Sequence, residues 1–171
     1  GQHAVDPALR VKELCRSRKG RRVELLRAGC LDPAKARGVI LLTSRHHCCE
    51  AMATYTLEGL LESVLAQDDA GRRWRSQWEV VAVPFMDKDG VEDGDQGKNR
   101  IPHDHGMDYG VVSMYPETAA LREKVAEWAG GRLKFALDLH CPWMRDEPHE
   151  HVMFLGVNDT ENWDRLGSFC G

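Results

Sequence analysis

Residues 38–65 read GVILLTSRHHCCEAMATYTLEGLLESVL, and two different patterns meet within this stretch. The first seven residues form an apolar run of strand length, which is typical of a strand that is covered on both faces. From Cys49 to Leu65 the apolar residues recur at helical spacing, with polar residues on the opposite face. The stretch therefore predicts a buried strand that ends just before His47 and a helix that follows it.

The same alternation continues along the chain. The sequence predicts three further apolar strands in the first 140 residues, a fourth beyond them, a helix from Pro116 to Trp128 and a last helix near Asn158. The strands are RRVELLRAG (21–29), WEVVAVPFM (78–86), LKFALDLH (133–140) and HVMFLGV (151–157). Residues 68–75 are expected to be a charged loop and residues 87–108 a long, polar, glycine-rich loop. This order predicts an α/β sandwich on a largely parallel sheet, with its ligand site at the carboxyl ends of strands.

Composition limits the classes of function. The 171 residues carry a net charge of −4, which gives no basic field for nucleic acid, and no apolar run approaches the length of a membrane span. The N-terminal residues contain no apolar signal-peptide core, and the compartment is left open. The six cysteines have irregular spacing, so we expect most of them to be small buried side chains. Cys48 and Cys49 are expected to pack the helix rather than to act as nucleophiles.

Three side chains form a candidate metal site. His47 and Glu50 are three residues apart at a strand-to-helix junction, and His140 ends another predicted strand. Two imidazoles and one carboxylate leave the fourth position of a tetrahedral zinc site open for water. Asp138 points to the same side of its strand as His140 and is a candidate hydrogen-bond partner for it. The alternative is a hydrogen-bonded histidine at a strand end and an unrelated surface H-x-x-E.

Four segments resemble the zinc carboxypeptidase (metallocarboxypeptidase) family in matching order. SRHHCCEAMATYTLEGLLESVL (44–65) looks like the family's first zinc motif, and ALDLHCPW (136–143) looks like the second. KGRRVELLRAG (19–29) resembles its upstream strand, and VVAVPFMDKDGVEDGDQGKNR (80–100) resembles the segment that leads to its functional arginine. The resemblance spans about residues 18–160. It implies a three-layer α/β/α sandwich with a mixed, largely parallel sheet.

The resemblance also implies roles for individual residues. His47, Glu50 and His140 would bind Zn²⁺, and Arg100 would stabilise the oxyanion that forms during hydrolysis. Asp104 aligns with an Asp that the family places before a substrate-binding Asn-Arg pair. Trp143, just beyond His140, is a further candidate for lining the substrate pocket.

Two departures from the family pattern affect function. Gly106 and Met107 stand where the Asn-Arg pair would clamp a terminal carboxylate, so the bidentate contact is lost. In addition, the family's general-base Glu lies well after the second zinc histidine, and no residue of 141–171 can be assigned to that role. We therefore expect residues 1–171 to form a single zinc carboxypeptidase-like domain that lacks its C-terminal part; a shortened relative without the usual base is the alternative.

These observations predict a zinc-dependent hydrolase of peptide or amide bonds. The expected partner is a peptide or small amide substrate, with no nucleic acid and no membrane span; the oligomeric state is not determined. An acylamino-acid deacylase of the same superfamily is one alternative, because the clamp is missing. A zinc-retaining binding domain without catalysis is another, and a metal-free domain that keeps only the fold is the third.

Overall fold

A computed structural model of the chain describes residues 6–98, 100–128 and 130–141. The strand predicted at 151–157, the helix predicted near Asn158 and the candidate pocket residue Trp143 lie outside these residues. Within them, no helix has the length and apolar character needed to cross a bilayer.

The described strands form one mixed sheet in the order β1-β2-β4-β3-β5. β1 pairs with β2 and β2 with β4 in antiparallel orientation, whereas β3 is parallel to both β4 and β5. The expected mixed sheet is confirmed, and its parallel part is formed by β4, β3 and β5. The elements are β1 (Leu9–Arg16), β2 (Arg22–Gly29), β3 (Gly38–Ser44), α1 (Ala51–Leu65), α2 (Asp69–Gln77), β4 (Trp78–Val83), α3 (Lys88–Asp93), α4 (Pro116–Trp128) and β5 (Leu133–Leu139).

Helices cover both faces of the sheet. Alternate residues of the central strands point to opposite sides, and both sets are apolar and need to be buried. On one face Leu41 and Val83 pack with Leu121 of α4. On the other face Leu42 and Ala82 pack with residues of α1 and α2, Leu57 and Trp74 among them. The continuous apolar runs of β3 and β4 follow from this two-sided burial. The three-layer α/β/α architecture is thereby confirmed.

Three elements differ from the sequence prediction. Helix α3 lies within residues 87–108, which were expected to be a loop; it begins after Asp87, whose side chain accepts a hydrogen bond from the N–H of Gly90. The segment expected to be a charged loop is helix α2, which begins after Asp68; the Asp68 side chain accepts a hydrogen bond from the backbone N–H of Gly71 at 2.8 Å. The sequence pattern did not indicate this helix, because most of its residues are charged or polar and Trp74 is its main apolar contact with the core. The polar N-terminal segment contains strand β1, whose residues are largely exposed because it is an edge strand in the described sheet.

The connection between β3 and α1 is a sharp turn. Arg45 has a left-handed backbone with φ of 62°, and its Nε donates a hydrogen bond to the carbonyl oxygen of Cys48 at 2.7 Å. Glu50 occupies the N-cap position of α1 but makes no side-chain capping hydrogen bond. Its carboxylate is therefore free to face the carboxyl ends of β3 and β5.

Candidate metal centre

The carboxyl ends of β3 and β5 bring the three predicted ligands together. These strands are parallel neighbours, with Thr43 paired to Asp138 and Ser44 to Leu139. His140 directly follows β5, and His47 lies in the turn after β3. The arrangement agrees with the general position of ligand sites in α/β sheets.

The ligand atoms of His47, Glu50 and His140 converge on one point. Nδ1 of His47 lies 3.1 Å from Oε1 of Glu50, and Nδ1 of His140 lies 2.7 Å from Oε2. The two imidazole rings are 4.9 Å apart between centroids, and one ligand atom from each residue lies within 4.8 Å of the others. Two atoms bound to one tetrahedral zinc at about 2.0–2.1 Å are roughly 3.3 Å apart. The nitrogen and oxygen donors therefore fit a zinc-type ion in both chemistry and spacing.

The charges of this cluster keep the carboxylate of Glu50 ionised. Burial alone would raise the pKa of Glu50, which is only 3% exposed, but hydrogen bonds from His140 and Lys98 bring that pKa down to about 2. Nζ of Lys98 lies 2.8 Å from Oε1 of Glu50. Hydrogen bonds to Asp138 and Glu50 raise the pKa of His140 to about 10 against the opposing effect of burial. A metal ion bound at Nδ1 of His140 would take the place of a proton there.

Asp138 contacts the ring nitrogen of His140 that points away from Glu50. Its Oδ2 lies 2.7 Å from Nε2 of His140, and its Oδ1 lies 2.8 Å from Nδ1 of His46. Thr43 donates a hydroxyl hydrogen bond of 2.7 Å to the same Oδ1. Partial desolvation raises the pKa of Asp138, but the hydrogen bonds with His140 and His46 outweigh it and lower the pKa. This contact is the carboxylate–histidine arrangement that orients metal-binding imidazoles in other proteins.

Asp104 contacts His47 rather than an open pocket. Its Oδ2 lies 3.2 Å from Nε2 of His47, and its Oδ1 accepts a hydrogen bond of 2.7 Å from the N–H of Gly106. A Cβ atom added to Gly106 would lie 3.7 Å from Nε2 of His47, so the residues at the Asn-Arg position do lie beside the cluster. Asp104 therefore contacts the ring of His47 and can orient it. The predicted contact of Asp104 with substrate stays a prediction.

Arg100 forms ion pairs with acidic side chains that do not belong to the candidate metal ligands. Its Nη1 is paired with Asp87, and it lies 3.3 Å from Oδ2 of Asp95. Within the described ranges no hydrogen bond or ion pair joins Arg100 to His47, Glu50 or His140. The predicted oxyanion role stays a prediction, and it requires the guanidinium to leave a fully buried carboxylate.

Cys48 is packed as the sequence predicts. It is 1% exposed, and its thiol donates to the carbonyl oxygen of Asp95 at 2.9 Å. Burial, with a contribution from Asp87, raises the pKa of this thiol to about 12, so it is not a nucleophile at neutral pH. Cys49 differs, because its side chain is exposed.

Sequence reasoning missed three polar residues of the site: His46, Lys98 and Tyr109. His46 is 3% exposed, and its Nε2 lies 2.6 Å from the hydroxyl of Tyr109. The adjacent pair His46-His47 was the available signal for His46. That signal is not sufficient without the left-handed turn at Arg45. After this turn His46 contacts Asp138 while His47 contacts Glu50.

No protein-family model matches the sequence, and no curated protein sequence matches it. Solved structures do match. A protein described as a carboxypeptidase A from Shewanella denitrificans OS-217 shares 27% identity with a TM-score of 0.69, over 80% of this chain and 36% of that one. A metallo-carboxypeptidase from Burkholderia cenocepacia shares 23% with a TM-score of 0.66, over 81% and 37%. One from Pseudomonas aeruginosa, solved with (2-guanidinoethylmercapto)succinic acid, shares 22% with a TM-score of 0.61, over 78% and 35%.

Fold and donor set together define the class: an α/β protein with a group of candidate metal ligands at the carboxyl ends of parallel strands. The structural matches narrow it further, and the fold is that of the metallo-carboxypeptidases, as the sequence resemblance indicated. The chain spans little more than a third of the length of these matched chains.

Proposed function

We propose that residues 1–171 belong to one zinc-dependent metallo-carboxypeptidase-like domain that hydrolyses peptide or amide bonds. In this proposal His47, Glu50 and His140 bind the zinc ion. The main support is the convergence of two imidazole nitrogens and one carboxylate from two parallel strand ends, within 4.8 Å of one another. Three protein ligands of this kind are the usual number in catalytic zinc sites, which keep one position for water or substrate.

Zinc, when bound, polarises the substrate carbonyl and lowers the pKa of bound water. The task of the chain's own residues is to hold the donors in place. Asp104 fixes Nε2 of His47, and Asp138 fixes Nε2 of His140, so that both Nδ1 atoms face Glu50. Each imidazole of the centre therefore has a carboxylate partner on its other nitrogen.

The segment that follows α3 supplies the positive charge of the site. Arg100 is neutralised by Asp87 and Asp95, whereas Lys98 reaches the carboxylate of Glu50 and its side chain is 45% exposed. We propose that Lys98 attracts the negative charge of the substrate first. Arg100 would stabilise the oxyanion after exchanging Asp87 for substrate, which makes its contribution depend on a rearrangement. We assign no general base among the described residues.

An acylamino-acid deacylase is the second candidate. By the sequence resemblance Gly106 and Met107 stand where the carboxylate clamp would lie; Gly106 is close to His47, and Met107 is 73% exposed. Neither side chain can form the charge-assisted contact that selects a free C-terminus. Substrates with a blocked carboxylate or an N-acyl group are therefore favoured over ordinary C-terminal peptides. A contribution from Trp143 to this pocket stays a prediction.

Metal analysis tests the centre. The purified chain is expected to hold one zinc per molecule after dialysis, and His47→Ala is expected to lose it. His103→Ala is the matched control, because it removes an imidazole that belongs to neither candidate ligand group. Equal zinc content in the wild-type protein and His47→Ala would remove His47 from the site.

An activity panel tests the reaction. The zinc-loaded chain is incubated with peptides that have free carboxylates, the same peptides with amidated ends, and N-acyl amino acids. Preferred hydrolysis of the amidated peptides or of the N-acyl amino acids would support the missing-clamp interpretation. Stoichiometric zinc without hydrolysis of any member would favour a ligand-binding domain that does not catalyse the reaction.

A further inference from the structure

A continuous row of hydrogen bonds leads away from the candidate metal centre into the protein. It runs from His140 to Asp138, from Asp138 to His46 and from His46 to the hydroxyl of Tyr109. The donor–acceptor distances along it are 2.7, 2.8 and 2.6 Å. Its residues come from β5, from the turn after β3 and from the loop before α4.

His46 is held rigidly in the middle of this row. It is 3% exposed, and both of its ring nitrogens have partners. An ionised carboxylate only accepts hydrogen bonds, so Nδ1 of His46 donates to Asp138, and Nε2 can then accept from the hydroxyl of Tyr109. One neutral tautomer therefore satisfies both contacts.

Asp138 needs such a partner because a carboxylate at a strand end can rotate. With His46 and Thr43 both donating to Oδ1, the carboxylate plane is fixed and Oδ2 is left to accept from Nε2 of His140. That contact in turn directs Nδ1 of His140 toward Glu50. The orientation of one proposed ligand thus depends on residues that touch neither Glu50 nor His47.

We propose that His46 and Tyr109 are positioning residues of the metal centre, which hold His140 in its ligating orientation through Asp138. The proposal rests on the zinc site proposed above. Loss of an outer hydrogen-bond partner typically weakens metal binding by roughly 10- to 100-fold. The partners on both ring nitrogens and the low exposure of His46 are what this role requires.

The same residues offer a competing interpretation. One ligand atom each from His46, Asp138 and His140 lies within 4.8 Å of the others, so these three could themselves hold an ion. With an ion in the first centre as well, His140 would bind metal through both ring nitrogens and would have to lose both ring protons. The hydroxyl donor of Thr43 on Asp138 also favours hydrogen bonding over coordination. The row is therefore assigned to positioning, and a second ion is an outcome that the experiment detects.

The test compares His46→Ala, His46→Asn and Tyr109→Phe with His103→Ala as the control. Zinc dissociation constants are measured by competition with a chelating dye, and visible spectra are recorded for the Co²⁺-loaded proteins. His46→Ala should weaken zinc binding by roughly 10- to 100-fold and shift the cobalt bands, because the orientation of His140 is relaxed. His46→Asn should recover most of the affinity, since its amide can donate to Asp138 from the position of Nδ1. Tyr109→Phe should weaken binding by a few-fold.

Several results would overturn the proposal. These are a wild-type zinc affinity in His46→Ala, an equal loss in His46→Asn and His46→Ala, or two zinc ions per chain of which His46→Ala loses one. Unfolding curves in the presence of EDTA show whether each variant still folds. Should His46→Ala fail to fold, Tyr109→Phe and His46→Asn still decide, because Tyr109 is 40% exposed and loses only its hydroxyl. Failure of the zinc site itself appears separately, as absence of zinc from the wild-type protein.

Discussion

Two polar clusters of the protein each contain a buried carboxylate and at least one histidine, but they differ in the cation that faces the carboxylate. The metal cluster consists of His47, Glu50 and His140; the arginine cluster consists of Asp87, Arg100 and His105. In the arginine cluster a fully buried carboxylate is neutralised by a permanent guanidinium. In the metal cluster the buried carboxylate faces imidazoles, whose protons a metal ion can replace. Lys98 also reaches the carboxylate of Glu50, but its side chain is 45% exposed, whereas the side chain of Arg100 is 15% exposed.

The histidines of the two clusters show the same contrast. Burial lowers the pKa of His105 to about 4, and its ring stacks on Tyr115 with centroids 3.7 Å apart. Carboxylate partners raise the pKa of His140 to about 10. His105 is therefore a neutral packing residue at pH 7. Its Nδ1 has no hydrogen-bond partner among the described residues.

The largest expected effect comes from exchanging the two histidines for alanine in turn. His140→Ala should weaken zinc binding by more than about 100-fold, above the range for an outer partner, because a ligand is removed. His105→Ala should keep its zinc and lose stability, because it leaves a cavity beside Tyr115. Zinc titration and urea unfolding measure the two effects. Loss of zinc in His105→Ala would contradict the separation of the two clusters, because His105 would then support the metal centre.

Breaking the arginine cluster should lower stability and leave zinc binding unchanged, because Arg100 makes no contact with the candidate metal ligands among the described residues. Asp87→Asn is expected to lower the free energy of unfolding by about 3 kcal/mol, because Arg100 is left partly unpaired in a buried position. Asp95→Asn removes the exposed partner and should cost less than about 1 kcal/mol. Denaturant unfolding of both variants without zinc, in the presence of EDTA, measures the difference. A zinc-free Asp87→Asn protein of unchanged stability would contradict this assignment.

Glu117 beside the arginine cluster predicts a pH dependence. Burial, with a contribution from Asp89 and Asp87, raises its pKa to about 7, above the ordinary 4.5. Its contribution to stability is therefore complete below pH 4.5 and is lost as the pH rises through 7. Glu117→Gln stays neutral, so its stability relative to wild type should increase by on the order of 2 kcal/mol between pH 5 and pH 8.

Thermal and denaturant unfolding at several pH values measure this change. Glu127→Gln, at an exposed position of the same helix α4, is the control and should show a flat difference. A flat difference for Glu117→Gln as well would mean that its carboxyl group titrates normally.

A smaller effect on zinc binding than that of His140→Ala should come from the outer partner of His47. Asp104→Asn keeps an oxygen for the N–H of Gly106 but loses the negative charge on Nε2 of His47. We expect zinc binding to weaken roughly 10-fold, or about 1.4 kcal/mol, without a change in stability of the zinc-free protein. Calorimetric zinc titration of this variant and of Asp95→Asn measures it. An unchanged affinity would show that the contact between Asp104 and His47 does not support the centre.

The sequence predicted the parts of this molecule that depend on local pattern. The bounds of β3 and α4 follow from an apolar run and from a proline at a helix start, and both agree with the structure. The approach of His140 to His47 could be anticipated, because parallel neighbouring strands end at the same edge.

Other contacts depend on tertiary packing. The ion pair between Arg100 and Asp87 packs directly against Gly90, and a side chain there would collide with both partners. An added Cβ would also lie 2.7 Å from Sγ of Cys48. The contact between His46 and Tyr109 joins residues 63 positions apart, and no periodicity reports such a distance. Helix α2 was missed because a single tryptophan provides most of its apolar contact.

The parallel pairing of β3 and β5 has a mechanical consequence. In the described residues β5 pairs with β3 alone, and Thr43 and Asp138, which lie opposite each other, are 95 positions apart in the chain. A slip of one residue between these strands would displace His140 by about 3.3 Å, more than the length of a metal–ligand bond. An ion held by both strand ends would therefore stabilise a single register of the two strands, so that the pairing of β5 with β3 would be coupled to metal binding.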